Sequence, residues 1–322
     1  MVKEIEPKLA KPTYRILGIS ISKIAFVVLI AQTSSLILVL RHSRTLPGQK
    51  YLPSTVVILT ELSKLILSLI GYLFTEEKWS LSLLYQDILG AESDWLKMMV
   101  PAVLYFVQNL INFVAISNLD AATFQVTAQL KLPITAIFSV MILKTHLSKT
   151  KWTSLFAIMC GIVMVTLAES GLVQHESENR SLGFMAVVSA TMLSGFTAIW
   201  FEAALKGKTI SLFVRNIQLS LFSIIPGFFF AICYVDGAQI IEDGFFQGYS
   251  VWTWIAIANQ ALGGLTCAVV VKYADSIVKG IATGVSMVLS SVLSVFLFDF
   301  IINSQFFVGS LIVIIASYTY MQ

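Results

Sequence analysis

Long apolar runs broken by short polar connectors set the pattern of this chain. Ten of them, at about 16–40, 52–74, 95–117, 120–143, 150–168, 182–205, 212–235, 251–272, 277–300 and 304–321, match the roughly 20 residues a helix needs to cross hydrocarbon. They are continuous and lack the period-two alternation of barrel strands, so each is expected to be a helix. The longest connectors, 75–94 and 168–181, leave no room for a soluble domain. The pattern predicts an all-α membrane protein with ten transmembrane helices.

Composition agrees. The chain has 322 residues, 57% of them hydrophobic and only 12% charged, about half the charge fraction of a soluble domain. The net charge of +3 carries orientation rather than affinity for nucleic acid. With the N-terminus in the cytoplasm, fourteen cations fall on the cytoplasmic side: Lys3, Lys8, Lys11, Arg15, Lys78, Lys97, Lys144, Lys149, Lys151, Lys206, Lys208, Arg215, Lys272 and Lys279. The other side holds Arg41, Arg44, Lys50 and Arg180. The positive-inside rule then places both termini in the cytoplasm. The sequon Asn179–Ser181 falls on the opposite side, in keeping with this. The opening "MVKEIEPKLAKPTYR" mixes both signs of charge and is followed by a run of full spanning length, so it reads as a short tail before a first helix. Cys160, Cys233 and Cys267 lie in apolar runs without metal-ligand spacing and read as small buried hydrophobes. His42, His146 and His175 fall at run ends or in connectors, so no histidine metal site and no cofactor is expected.

An internal repeat also emerges. A shift of 155 residues lays Asp120 on Asp275 and "IFSVMIL" (137–143) on "VLSVFLF" (292–298); chance matching among apolar letters is the alternative. Five helices per half is an odd number, so two such halves must be inverted. Residues 1–168 would form the first five-helix repeat with its tail, 169–181 a lumenal connecting loop, and 182–322 the second repeat. Inverted repeats belong to alternating-access transporters, whose substrate sits near midplane.

The polar residues inside the runs are the candidate chemistry. Lys131, in "FQVTAQLKLP", has no acid three or four positions away, and a central lysine costs roughly 3 kcal/mol on insertion scales. Gln125, Thr127 and Gln129 accompany it, and Pro133 loosens the helical ladder just beyond. A water-filled cavity visited by an anion accounts for this set. Lys279, in "VKYADSIVKGIATG", is followed by glycine, with Asp275 as an alternative partner for it or for Lys272. Two cations, one from each half, suit a phosphate-type dianion. Glu61 and Lys64 stand three apart in "LTELSKLIL", as a self-neutralised pair or as part of a cavity wall. Tyr105, Gln108, Asn109 and Asn112 share two turns of "YFVQNLINF", and Ser194, Gly195, Glu202, Asn216, Gln218, Asn259, Gln260, Gly263 and Gly264 add polar or small positions on other helices.

The strings "SNLDAATFQVTAQLK", "VRNIQL", "GFFQGY", "ALGG" and "VVVKYADSIVKGIAT" resemble the nucleotide-sugar transporters of the Golgi membrane, within the drug/metabolite transporter superfamily. The branch resembled handles UDP-N-acetylglucosamine, UDP-galactose and CMP-sialic acid, and the likeness runs from "QTSSLILVLRHSRTLPG" to the last helix. The resemblance implies ten helices in two inverted five-helix repeats, and exchange of a cytosolic nucleotide sugar for a lumenal nucleoside monophosphate. It places Lys131 and Lys279 on the phosphates, Ser194, Gly195, Asn216 and Gly264 around the nucleotide, and Tyr105, Asn109, Glu61 and Lys64 toward the sugar. The family pattern usually has Tyr at Ala128, Asn at Leu110, and Gly, Tyr and Lys at Ala198, Trp200 and Ala203. Phe124 and Trp200 are candidates to rebuild the base pocket, with Gln125 beside it.

The expectation is therefore a Golgi UDP-sugar antiporter working against UMP, with UDP-N-acetylglucosamine or UDP-galactose favoured. A CMP-sialic acid/CMP exchanger and a transporter of another phosphorylated metabolite are the alternatives. A membrane-embedded glycosyl-transferring enzyme needs a general base and usually a metal, and the deep acids are chiefly Glu61 and Glu202. Expected partners are the nucleotide sugar, the nucleoside monophosphate and the lipid bilayer, with a homodimer as an option and no nucleic acid.

Overall fold

The computed structural model describes residues 15–16, 19–75, 80–119, 121–169, 179–207, 210–230, 236–298 and 303–322. Lys3, Lys8, Lys11, Lys78, Lys208, Asp120, His175, Cys233 and most of the 169–181 connector lie outside them. Thirteen α-helices are formed among the described residues: α1 (Ile21–Thr45), α2 (Pro53–Thr75), α3 (Leu81–Leu89), α4 (Trp95–Asn118), α5 (Ala121–Ala128), α6 (Lys131–Ile142), α7 (Lys149–Glu169), α8 (Arg180–Lys206), α9 (Leu212–Phe230), α10 (Gly237–Asp243), α11 (Val251–Tyr273), α12 (Ser276–Phe298) and α13 (Ser304–Met321). Ten stretches of these helices are long and apolar enough to span a membrane. They coincide with the ten apolar runs. The short α3 and α10 lie within connectors.

One apolar run is two helices. Pro133 has no N–H, and its ring collides with the carbonyl four residues earlier, which belongs to Gln129. The chain answers by tightening before the proline. Gln129 N donates to Val126 O (3.2 Å), Leu130 N to Thr127 O (3.1 Å) and Leu132 N to Gln129 O (3.2 Å). These are three-residue turns, so α5 ends at Ala128 and α6 begins at Lys131 itself. The lysine opens a half-helix in mid-span.

Neighbouring helices follow one another around a ring: α4, α8, α6, α12, α1, α11, α2, α9 and back to α4, with α7 and α13 paired outside it. The main apolar cluster joins α6, α7, α12 and α13 through Leu132, Leu155, Ile158, Ile281 and Val313. Glycines bring helices together where a Cβ would not fit: one at Gly195 would stand 2.8 Å from Ile134 and 3.2 Å from the backbone of Thr135, so α8 lies directly on α6.

Candidate functional site

Inside the ring is a cavity of about 120 Å³. Lys131, Gln129 and Thr135 reach it from the α5–α6 break, Tyr105 from α4, and Lys279 and Thr283 from α12. Lys131 keeps accessible surface and lines this cavity. The two ammonium groups repel one another across this space. Neither has an ion-pair partner among the described residues.

Asp275 does not neutralise either lysine. Its carboxylate accepts the backbone N–H of Val278 at 2.7 Å, the geometry of a helix N-cap, and so starts α12 one turn before Lys279. The cavity therefore holds two positive charges without a fixed counter-ion among the described residues, with the N-terminus of α6, the positive end of its dipole, behind Lys131. An anion with two charges fits that field; a neutral or cationic solute does not. About 120 Å³ admits a phosphate group or a few waters at ~30 Å³ each, but not a whole nucleotide, whose pockets run to several hundred Å³.

The other expected residues fall into separate places. Glu61 and Lys64 form an ion pair of 2.6 Å on α2. The stem of Lys64 lies over Gly264, where a Cβ would stand 2.6 Å from its Cδ. The second carboxylate oxygen of Glu61 is buried with no hydrogen-bond partner among the described residues. Ser194 is buried on α8 with its hydroxyl likewise unpartnered, and Gly195 is the α8–α6 contact. Asn216 is buried, its amide donating to Leu212 O at 3.0 Å. Phe124 packs with Ala115, Leu119, Ala186 and Val187 between α4 and α8. Gln125 and Asn109 are exposed. Of the twelve residues expected, the structure gathers Lys131, Lys279 and Tyr105 in the lysine cavity, and puts Glu61, Lys64 and Gly264 together between α2 and α11.

Trp200 stands elsewhere too. Pro101 lacks the N–H that would bond the Lys97 carbonyl in α4, and the Trp200 indole N–H donates to that carbonyl at 3.0 Å. Trp200 and Ala203 line a separate cavity of about 230 Å³ with Asp94, Lys97 and Arg215. Arg215 and Gln218 are buried; the Arg215 guanidinium donates to Ser93 O (2.9 Å) and the Gln218 amide to Ile88 O (2.8 Å), so both tie α9 to the α3–α4 connector.

Sequence reasoning missed Thr135, Ser276 and Thr283 as cavity residues. A signal was present: each sits three or four positions from Lys131 or Lys279, on the same helical face. Among the described residues there is no cluster of metal-ligating side chains, and Cys160 and Cys267 are free thiols.

A set of spanning helices around a cavity with two lysines, unpaired among the described residues, defines a membrane protein whose interior suits an anionic solute. The comparisons narrow this further. The pattern of the nucleotide-sugar transporter family matches residues 18–321. The human UDP-N-acetylglucosamine transporter is 43% identical over 303 residues, covering 91% of this chain and 93% of its own length. The human UDP-galactose translocator is 40% identical over 322 residues, covering 98% of this chain and 80% of its own length. The chain belongs to the nucleotide-sugar transporter family, and is a multi-pass membrane transporter rather than an enzyme. A solved crystal structure with 14% identity covers 92% of this chain and 95% of its own at a TM-score of 0.66, and shares the fold.

Proposed function

We propose that this protein is a Golgi nucleotide-sugar antiporter that brings in a cytosolic UDP-sugar, UDP-N-acetylglucosamine or UDP-galactose, against lumenal UMP. The observation that carries this is the pair Lys131 and Lys279, unpaired among the described residues and sharing one cavity. The relatives named above supply the UDP-sugar class. Lys131 and Lys279 hold the phosphates, Gln129, Thr135 and Tyr105 offer hydrogen bonds at the cavity wall, and the Glu61–Lys64 pair, with its spare carboxylate oxygen, meets the sugar hydroxyls.

Exchange follows from charge. Closing the empty site confines two repelling cations in a low-dielectric space; a bound phosphate dianion cancels that repulsion and lets the halves move. A nucleotide sugar and a nucleoside monophosphate each carry about two negative charges at neutral pH, so the cycle is nearly electroneutral and runs on concentration gradients.

The halves in this proposal are the inverted repeats. Helix packing supports them: exchanging α1 with α8, α2 with α9, α4 with α11, α5–α6 with α12 and α7 with α13 turns each major packed pair into another packed pair. Thus α4 on α8 becomes α11 on α1, α6 on α8 becomes α12 on α1, and α4 on α9 becomes α11 on α2. Both termini are assigned to the cytoplasm on the cation distribution. A homodimer belongs to the same proposal and is tested by cross-linking in membranes.

The test loads proteoliposomes with UMP and follows uptake of labelled UDP-N-acetylglucosamine and UDP-galactose. Uptake that needs internal UMP and is lost in Lys131→Ala and Lys279→Ala supports the proposal; unchanged exchange in both variants removes it. Loading with CMP instead of UMP tests the CMP-sialic acid alternative.

A further inference from the structure

The floor of the lysine cavity is built around an acid that the transport scheme does not use. Glu202, on α8, is 1% exposed. One carboxylate oxygen accepts the backbone N–H of Ser276, the first residue of α12, at 2.7 Å. The other accepts the ammonium of Lys206, which also donates to Ala274 O at 2.6 Å. One turn earlier on α8, the Ala198 carbonyl accepts the Ser276 hydroxyl at 3.1 Å. Ala198 and Ser276 themselves line the cavity beside Lys279. The last turns of α8 are thus fastened to the α11–α12 corner three residues from a phosphate-binding lysine.

Apolar packing closes the same end of the bundle. Met98 at the start of α4, Phe201 and Leu205 at the end of α8, and Ala268 and Val271 at the end of α11 form one buried cluster, and Trp200 is tied to the Lys97 carbonyl beside it. This end carries Lys97, Lys206 and Lys272, and is the end assigned above to the cytoplasm. At the other end of α8, packing is with α4 and α5: Gly183 against Asn118 and Leu119, and Ala186 and Val187 against Phe124.

Glu202 and Lys206 stand one turn apart on α8, so what crosses to the α11–α12 corner is a set of hydrogen bonds, from the Ser276 N–H to Glu202 and from Lys206 to the Ala274 carbonyl. These have one property an apolar contact lacks. When their partners separate into water, each is hydrated, so the open state is not penalised by exposed hydrocarbon. Such a contact suits a joint that must both hold and release.

We propose that Glu202 and Lys206 form a latch on the cytoplasmic mouth: they fasten the first turn of α12, and with it Lys279, to α8, and this fastening opens before the cavity can be reached from the cytoplasm. The latch rests on the transport reading above and adds to it the residue that positions the phosphate-binding turn. Movement of Lys279 toward a phosphate is movement of the latched turn, so occupancy and gate are mechanically joined.

The test uses the full chain in sealed membrane vesicles of known sidedness, with Cys160, Cys233 and Cys267 replaced by Ser and Thr283→Cys as a cavity reporter. A membrane-impermeant maleimide is applied from each side. Glu202→Gln and Lys206→Gln are each expected to raise labelling from the cytoplasmic side roughly tenfold, the scale of one lost charge-assisted hydrogen bond, and to lower it from the lumenal side. The double variant should change labelling by less than the two single variants combined, because Glu202 and Lys206 are bonded to one another and grip the same corner. Unchanged sidedness in both variants overturns the latch, and so does a rise from both sides together, which marks a loosened bundle. Lys206 is 21% exposed at the end of its helix, so Lys206→Gln keeps the test open if Glu202→Gln does not fold. UMP added to the chain with an intact latch should slow labelling of the reporter; if it does not, the transport reading fails while the labelling sidedness still decides the latch.

Discussion

Replacing Lys131 by Gln should do two opposite things at once. The ammonium is deep among helices and has no counter-ion among the described residues, so its removal relieves the empty protein. A lipid-facing central lysine costs roughly 2.5–3.5 kcal/mol; one that faces a hydrated cavity keeps part of its solvation, leaving a gain of about 1 kcal/mol and a rise in melting temperature of about 2 °C or less. Binding moves the other way. A charge-assisted hydrogen bond to phosphate is worth about 1.5–3 kcal/mol, so UMP should bind about 10- to 100-fold more weakly. At a UMP concentration 100 times the wild-type Kd, the wild type gains about 2.7 kcal/mol of stability; a variant with 100-fold weaker binding gains RT ln 2, about 0.4 kcal/mol. Thermal melting in detergent with and without UMP reads both quantities on one sample. An empty-state melting point that rises while the UMP-induced shift collapses is the expected signature. An unchanged UMP shift, or an empty protein that melts lower, would refute the account of Lys131 as an unpaired cation awaiting phosphate.

Three further outcomes follow from the same geometry. Pro133→Ala restores an N–H and removes the clash with the Gln129 carbonyl, so α5 and α6 should join; melting should rise by up to ~1 kcal/mol of stability while UMP-driven uptake falls, and uptake that survives intact counts against the half-helix. Gly195→Val places new carbons against Ile134 and Thr135, which should cost about 1–3 kcal/mol by overpacking and weaken UMP binding by displacing the first turn of α6, whereas retention of full affinity would separate that contact from the site. Asp275→Ala removes the cap on α12 at a cost of about 1 kcal/mol but should change UMP affinity less than either lysine variant, as measured by isothermal titration; a loss equal to that of Lys279→Ala would mean that Asp275 acts on the lysine after all.

Lys131 and Phe124 illustrate why some of the site was legible in the sequence and some was not. A lysine in the middle of an apolar run, with no acid on its own face, is costly wherever the helix goes, so its importance did not depend on knowing its neighbours. Pro133 was equally readable, because its clash is with its own chain. Phe124 was different. An aromatic ring serves helix packing or a base pocket equally well, and only the approach of Ala186 and Val187 from α8 decides that it packs. Trp200 was drawn away by a carbonyl that another helix's proline had freed. Glu202 looked like one deep acid among few; one partner is Lys206 on its own helix, and the other, the Ser276 N–H, comes from the corner some seventy residues downstream.

By itself the sequence determined the number of spanning helices, a weak point in the helical ladder at Pro133 and the presence of two costly cations, because hydrocarbon solvation and backbone hydrogen bonding act locally along the chain. The tertiary structure alone decided that those cations share one cavity and that Glu202 fastens the first turn of α12 to α8. Those outcomes depend on which helices meet, and helix association rests on small differences in shape and partner choice between residues far apart in sequence.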